Sequence, residues 1–194
     1  IRARILSLFL LSVVAFAGAM GYGLSQLRTI GDGLEALDRC YLPLAGISAE
    51  QELLVLFMER DGERFDRETL RPPAGHRSNA ALHSAGMQEA IERSRGVISD
   101  ACLRLERPED RTAREDLITN LNAIDVGLTS LDEATEAWLS ADGDSGAALS
   151  QLRSRRSEMK NLTRQLTTRI DSRVGAVSEQ TLSLIHISEP TRRP

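Results

Sequence analysis

Two cysteines, three histidines and an aspartate-rich turn are the residues whose types and spacing could do chemistry. Cys40 and Cys102 form neither a C-x-x-C motif nor a metal-ligand spacing. They are either small buried hydrophobes or one disulfide formed in an oxidising compartment. His76 and His83 stand seven residues apart with no cysteine or acidic cluster around them, which fits exposed histidines better than a metal site. Asp142-Gly143-Asp144-Ser145-Gly146 begins like a calcium loop. It lacks the third oxygen ligand, and the position of the bidentate glutamate would be Arg153, so it reads as a turn between helices capped by Asp144 or Ser145. Asn161-Leu162-Thr163 is a formal glycosylation sequon that falls mid-helix. No phosphate-binding loop, dinucleotide fingerprint or nucleophile–base arrangement is present. No catalytic residue and no metal ligand is therefore assigned.

The elements that would position such residues are helical. Aromatics make up only 4% of the 194 residues against 41% hydrophobics overall, so the core must be built mainly of Leu, Ala, Ile and Val. That suits helices packing along their lengths and suits strands badly. The net charge of -4 is mild and no Lys/Arg-rich run occurs, so the sequence offers nothing to nucleic acid.

From Ile5 to Leu24 the chain reads ILSLFLLSVVAFAGAMGYGL, without a charge. About 20 apolar residues, roughly 30 Å as a helix, match the hydrocarbon core of a bilayer. Arg2 and Arg4 precede it, and Arg28, Asp32 and Glu35 follow with mixed sign. The positive-inside rule then puts the N-terminus in the cytoplasm and the rest outside. A cleaved signal peptide has the same ingredients, including small residues at Ala15, Ala17 and Ala19. Two features favour a retained anchor: the length of the apolar stretch and the helical period that continues beyond it.

That period runs through Leu27, Ile30, Leu34, Leu37, Tyr41 and Leu44 in alternating three- and four-residue steps, the pattern of a bundle seam. The first helix is expected to reach about Leu70, with Val55, Met58 and Phe65 inward and a bend near Leu42 caused by Pro43. Residues 71–75 (RPPAG) must break it. A second helix is expected from an N-cap at Asn79 to Glu106, with Met87, Ile91, Ile98, Ala101 and Leu105 inward. A third should start at a capping box, Thr112 with Glu115, and carry Leu117, Leu121, Ile124, Leu128, Leu131, Thr135 and Trp138. After the turn at 140–146, a fourth shows Leu149, Leu152, Met159, Leu162, Leu166, Ile170, Val174 and Val177. Short connections between long helices imply antiparallel neighbours. The fold class is all-α: an N-terminal transmembrane helix continuing into an up-down-up-down antiparallel four-helix bundle. In that arrangement Cys40 and Cys102 lie at similar distances from the membrane, although matching heights alone do not satisfy disulfide geometry.

Polar residues on the seams mark where a ligand could enter. Ser48 and Gln51 face inward on the first helix, and Arg156 does so on the fourth. Arg156 must reach the surface, meet Glu133 or Glu136, or line a cavity. The candidate pocket lies in the membrane-distal half, among Arg60, Arg64, Arg77, Trp138 and Arg156. Several arginines there favour an anionic ligand.

Three stretches together resemble the N-terminal sensor region of bacterial transmembrane receptors, chiefly sensor histidine kinases and their chemoreceptor relatives. They are the basic start and anchor RARILSLFLL, the seam LRTIGDGLEALDRCYLPL and the closing helix LTTRIDSRVGAVSEQT. The resemblance implies residues 1–24 as cytoplasmic start and transmembrane helix, and 25–181 as an extracytoplasmic sensor domain relaying a stimulus by helix displacement. It also implies an inner-membrane location, a homodimer, and an unknown small ligand or partner protein. ATP and Mg²⁺ belong only to a kinase module beyond this chain, so no cofactor is expected here. A chemoreceptor sensor, or a secreted or anchored helical scaffold without a signalling role, would share the same pattern. Residues 182–194 abandon the preceding period and resemble translated sequencing-adapter read-through, so they are set apart as a non-native tail. His186 within them lacks the acid that directly follows a kinase phosphoacceptor, and is not assigned that role.

Overall fold

The computed structural model describes the backbone of residues 2–68, 76–102, 108–140 and 145–188, and the side chains of 9–60, 77–102, 111–140 and 146–183. The described chain is all-α and contains no strand: α1 (Arg2–Ala36), a π-helical turn (Leu37–Tyr41), α2 (Leu42–Glu68), α3 (His76–Asp100), α4 (Pro108–Leu139) and α5 (Ser145–Ser188). Among the described residues one helical stretch, Phe9–Arg60 within α1 to α2, is long and apolar enough to cross a membrane. Every side chain from Phe9 to Ser25 is exposed, so among the described residues no element covers this apolar surface.

Pro43 neither ends the helix nor stands in a regular one. A proline inside an α-helix removes a hydrogen bond and drives its ring into the carbonyl four residues back. Here the turn just before it is widened by one residue, and the Leu42 amide donates to the Leu37 carbonyl, five residues back. Pro43 then falls in the first turn of α2, where its missing amide costs least. The expected interruption is thus absorbed as a π-turn, and the same turn buries Cys40 and Tyr41 side by side.

α2, α3, α4 and α5 close a ring in which each packs on two neighbours, with α1 lying against α5. The contacts fix the register. Cys40 meets Cys102, Glu50 meets Arg93, Leu54 lies beside Gly86, and Phe57 stacks on His83. From α3 to α4 the pairs are Arg77 with Glu136, Ser84 with Asp132, and Arg95 with Asp125. From α4 to α5 they include Asp116 with Arg169 and Gly127 beside Leu162. In each series one number rises as the other falls.

The core holds two apolar clusters. The larger joins Leu44 and Val55 of α2, Met87, Ile91 and Ile98 of α3, Leu117 to Leu128 of α4, and Met159, Leu166 and Ile170 of α5. The smaller holds Leu131, Ala134, Trp138 and Leu152, and Met58 packs against both. Each such side chain, fully buried, contributes on the order of 1.5–3 kcal/mol. The α4 seam is buried throughout, from Leu117 to Trp138.

Several sequence expectations need correction. Leu27 and Leu34 are 66% and 52% exposed and do not belong to the seam. α1 instead turns Gly33 and Ala36 towards α5, because an added Cβ on Gly33 would stand 2.9 Å from Thr181 Oγ1, a distance only glycine permits. α3 begins at His76, so Asn79 lies inside it and does not cap it, and it ends at Asp100 rather than Glu106. α4 starts at Pro108, whose fixed φ suits a first helical turn. Thr112 is therefore interior and exposed, and Glu115 accepts from Arg111 Nε. α5 extends to Ser188, which bears on helical continuity past Leu182 and not on the origin of residues 182–194. The side chains of Phe65 and His186, together with Leu70, Leu105, the Asp142–Asp144 loop and the end of the tail, lie outside the described residues.

Candidate functional site

Between the two clusters the packing is incomplete. A cavity of about 30 Å³ is lined by Met58 of α2, Ala80 and His83 of α3, Leu131, Asp132 and Thr135 of α4, and Arg156 of α5. All four bundle helices contribute, and the space suffices for about two water-sized groups. Each polar wall has a distinct cause. Asp132 is one position beyond Leu131 on the α4 seam, so its carboxylate stands at the edge of the core. There its Oδ2 accepts a hydrogen bond from Ser84 Oγ at 2.6 Å. Burial raises the Asp132 pKa above the ordinary carboxylate value; the Ser84 bond works against that rise, and the nearby Glu136 charge adds to it. Glu136 itself pairs with Arg77 at 3.0 Å on the exposed side. The ring of His83 lies nearly parallel to that of Phe57, with centroids 6.0 Å apart. Thr135, also in the lining, spends its hydroxyl on the Leu131 carbonyl.

Among the described residues, the arginines expected from the sequence do not share one cavity lining. Of Arg60, Arg64, Arg77, Trp138 and Arg156, only Arg156 lines the cavity. Arg60 is exposed, Arg77 is held by Glu136, and Trp138 is buried with Leu131 and Leu152 in the smaller cluster. The Arg64 side chain lies outside the described residues. Helical register explains why Arg60, Arg77 and Arg156 differ in surroundings: they share a height along the bundle but not a face. His83, expected at the surface, is half-buried against the cavity instead. Asp132 and Ser84 were not foreseen, and only their positions beside seam residues could have flagged them.

Two further features bear on chemistry. Cys40 and Cys102 are joined by a disulfide, with Cα atoms 5.2 Å apart, tying the π-turn to the end of α3. Gln51 is fully buried, and among the described residues neither its amide oxygen nor its nitrogen has a hydrogen-bond partner. Among the described residues no group of three or more His, Cys, Asp or Glu side chains is placed to hold a metal. No family model, curated protein or solved structure matches the chain.

Proposed function

We propose that this chain is the extracytoplasmic signal-input region of a bacterial sensor histidine kinase. Residues 1–24 anchor it in the inner membrane with the N-terminus in the cytoplasm. Residues 25–181 form an up-down-up-down antiparallel sensor bundle in the periplasm. The observation that carries this reading is the unbroken helical stretch from Phe9 to Arg60, uncovered and apolar at one end and built into the bundle core at the other. A change of packing along α2 then reaches the membrane without crossing a loop. The close approach of α1 and α5 at Gly33 and Thr181 supports the same reading, since it couples the outgoing helix to the returning one. A stimulus shifts the balance between two packings, and α5 carries that shift as a slide or rotation to a cytoplasmic output module. Moving such an equilibrium from 1:99 to 99:1 takes about 5.5 kcal/mol of differential binding.

The receptor acts as a homodimer in this reading. Leu27, Leu34, Leu42, Leu53 and Leu56 leave an exposed apolar stripe along α1 and α2, which a second copy in the same membrane would cover. Substituting Leu53→Lys together with Leu56→Lys should convert the dimer to monomers in detergent, as measured by light scattering. ATP and Mg²⁺ act only in the output module, and the chain alone should show no ATP turnover.

The decisive experiment is to read the intact gene beyond Thr181. A second apolar stretch of about 20 residues, then a signalling linker and kinase boxes, supports the proposal. Long methylation-type helices in place of the kinase would move the chain to the chemoreceptors. A stop codon shortly after Thr181 overturns both and leaves a helical scaffold.

A further inference from the structure

We propose that the cavity shared by α2, α3, α4 and α5 binds the ammonium group of a small organic monoamine, with Asp132 taking the ammonium and the Phe57–His83 pair flanking an apolar tail. The inference rests on the reading of the bundle as a signal-input domain and names what that domain detects.

Size sets the first constraint. About 30 Å³ holds a head group and not a whole metabolite, so the rest of the ligand must lie at the mouth. Polarity sets the second. Oδ2 of Asp132 already accepts from Ser84, while Oδ1 has no protein partner among the described residues. A carboxylate only accepts, so the group that completes it must donate. Burial and the neighbouring Glu136 both oppose the negative charge on Asp132, and an incoming cation relieves both while an anion aggravates them. This reverses the preference for an anionic ligand that the arginine count implied.

Arg156, on the α5 side of the same cavity, sets the third constraint. Its guanidinium repels a second positive charge, so a monoamine is preferred to a diamine. Met58 and Leu131 form the apolar wall, and the Phe57 ring, 47% exposed and stacked on His83, carries that wall to the surface. An aromatic or alkyl tail would rest there. Because the cavity touches every bundle helix, a ligand in it can bias how all of them pack.

The test uses the full chain in lipid nanodiscs, with the thermal midpoint followed as ligand is titrated at neutral pH. Phenethylammonium should raise the midpoint progressively. The anion 3-phenylpropionate, of matching shape, should not, and a diamine of similar length should do so only at higher concentration. Asp132→Asn keeps an acceptor for Ser84 and should weaken phenethylammonium by about ten-fold or more. Phe57→Ala should weaken phenethylammonium while leaving the response to methylammonium unchanged. Equal stabilisation by the anion, unchanged binding by the Asp132→Asn protein, or no shift with any amine overturns the site. None of those results touches the signal-input reading, which stands or falls on the gene beyond Thr181. Conversely, amine binding by a chain whose gene stops there would leave a binding site without a receptor.

Discussion

The half of the bundle next to the apolar span and the half remote from it are held together by different means. Near the span, the Cys40–Cys102 disulfide, the tight approach of Gly33 to Thr181 and the larger apolar cluster leave little freedom. In the remote half a cluster of four residues, a cavity with charged walls and half-exposed ion pairs such as Lys160 with Glu59 take over. Close-packed apolar interiors transmit strain because they deform in steps. A region with an unfilled, polar-walled gap has low-cost alternatives. The contrast suits the proposed signal-input role, which would need an adaptable end and a stiff one.

Removing the disulfide should break the comparison most severely. It closes a sequence separation of 62 residues, and chain-entropy reasoning assigns such a loop about 4 kcal/mol. The paired substitution Cys40→Ala and Cys102→Ala should lower unfolding stability by that order in urea titrations. Hydrogen exchange should then quicken first around the π-turn and the end of α3. Uniform quickening over both halves would show that the near half is no stiffer than the remote one.

Core truncations sharpen the contrast at the next level. Ile124, fully buried in the larger cluster, should cost about 4 kcal/mol on Ile124→Ala, and Leu152, equally buried in the smaller, about 2–3 kcal/mol on Leu152→Ala. The remote half has a gap into which neighbours can relax, and Ile124 is not among the residues that line it. Thermal melts of the two variants at equal concentration decide the order.

Gln51 is an exception inside the stiff part of the molecule. A fully buried amide without partners costs on the order of 1–3 kcal/mol. Gln51→Leu should therefore stabilise the protein by about that amount. If the amide exists to keep two packings close in energy, the same variant should also slow exchange along α2. A loss of stability would mean that Gln51 is satisfied in solution and is not a weak point.

Much of this was legible in the sequence, and the limits have physical causes. Seam residues such as Leu121, Ile124, Leu166 and Ile170 repeat at three- and four-residue steps because a helix buries one stripe, so pattern alone places them. The Pro43 problem was visible, but its solution by a widened turn was not, since that depends on what Cys40 and Tyr41 must pack against. The separation of Arg60 and Arg77 from the cavity that Arg156 lines has a related reason. Sequence gives height along a bundle, and facing depends on the relative rotation of two helices. Ser84 and Asp132 are 48 residues apart and meet only once α3 and α4 have settled into register.

The smallest effect probes the cavity wall itself. The Asp132 carboxyl is raised above its ordinary pKa, chiefly by burial and further by Glu136, with the Ser84 bond opposing. Between the unfolded value and the raised one, the folded protein keeps a proton that the unfolded chain has released. Folding stability contributed by this group therefore falls as pH rises through that acidic window and stays lower above it. Asp132→Asn removes the titration while retaining an acceptor for Ser84. His83, Arg156 and the Glu136–Arg77 pair are present in both proteins and largely cancel in the difference. The variant should match the parent at the acid end of the window and become the more stable of the two above it. Because Asp132 is at the cavity mouth and partly solvated, the gain should be small, and paired urea titrations at stepped pH are needed to resolve it. Parallel profiles would place Asp132 in water, and a parent that gains on the variant as pH rises would mean that the carboxylate already has a cation to hold.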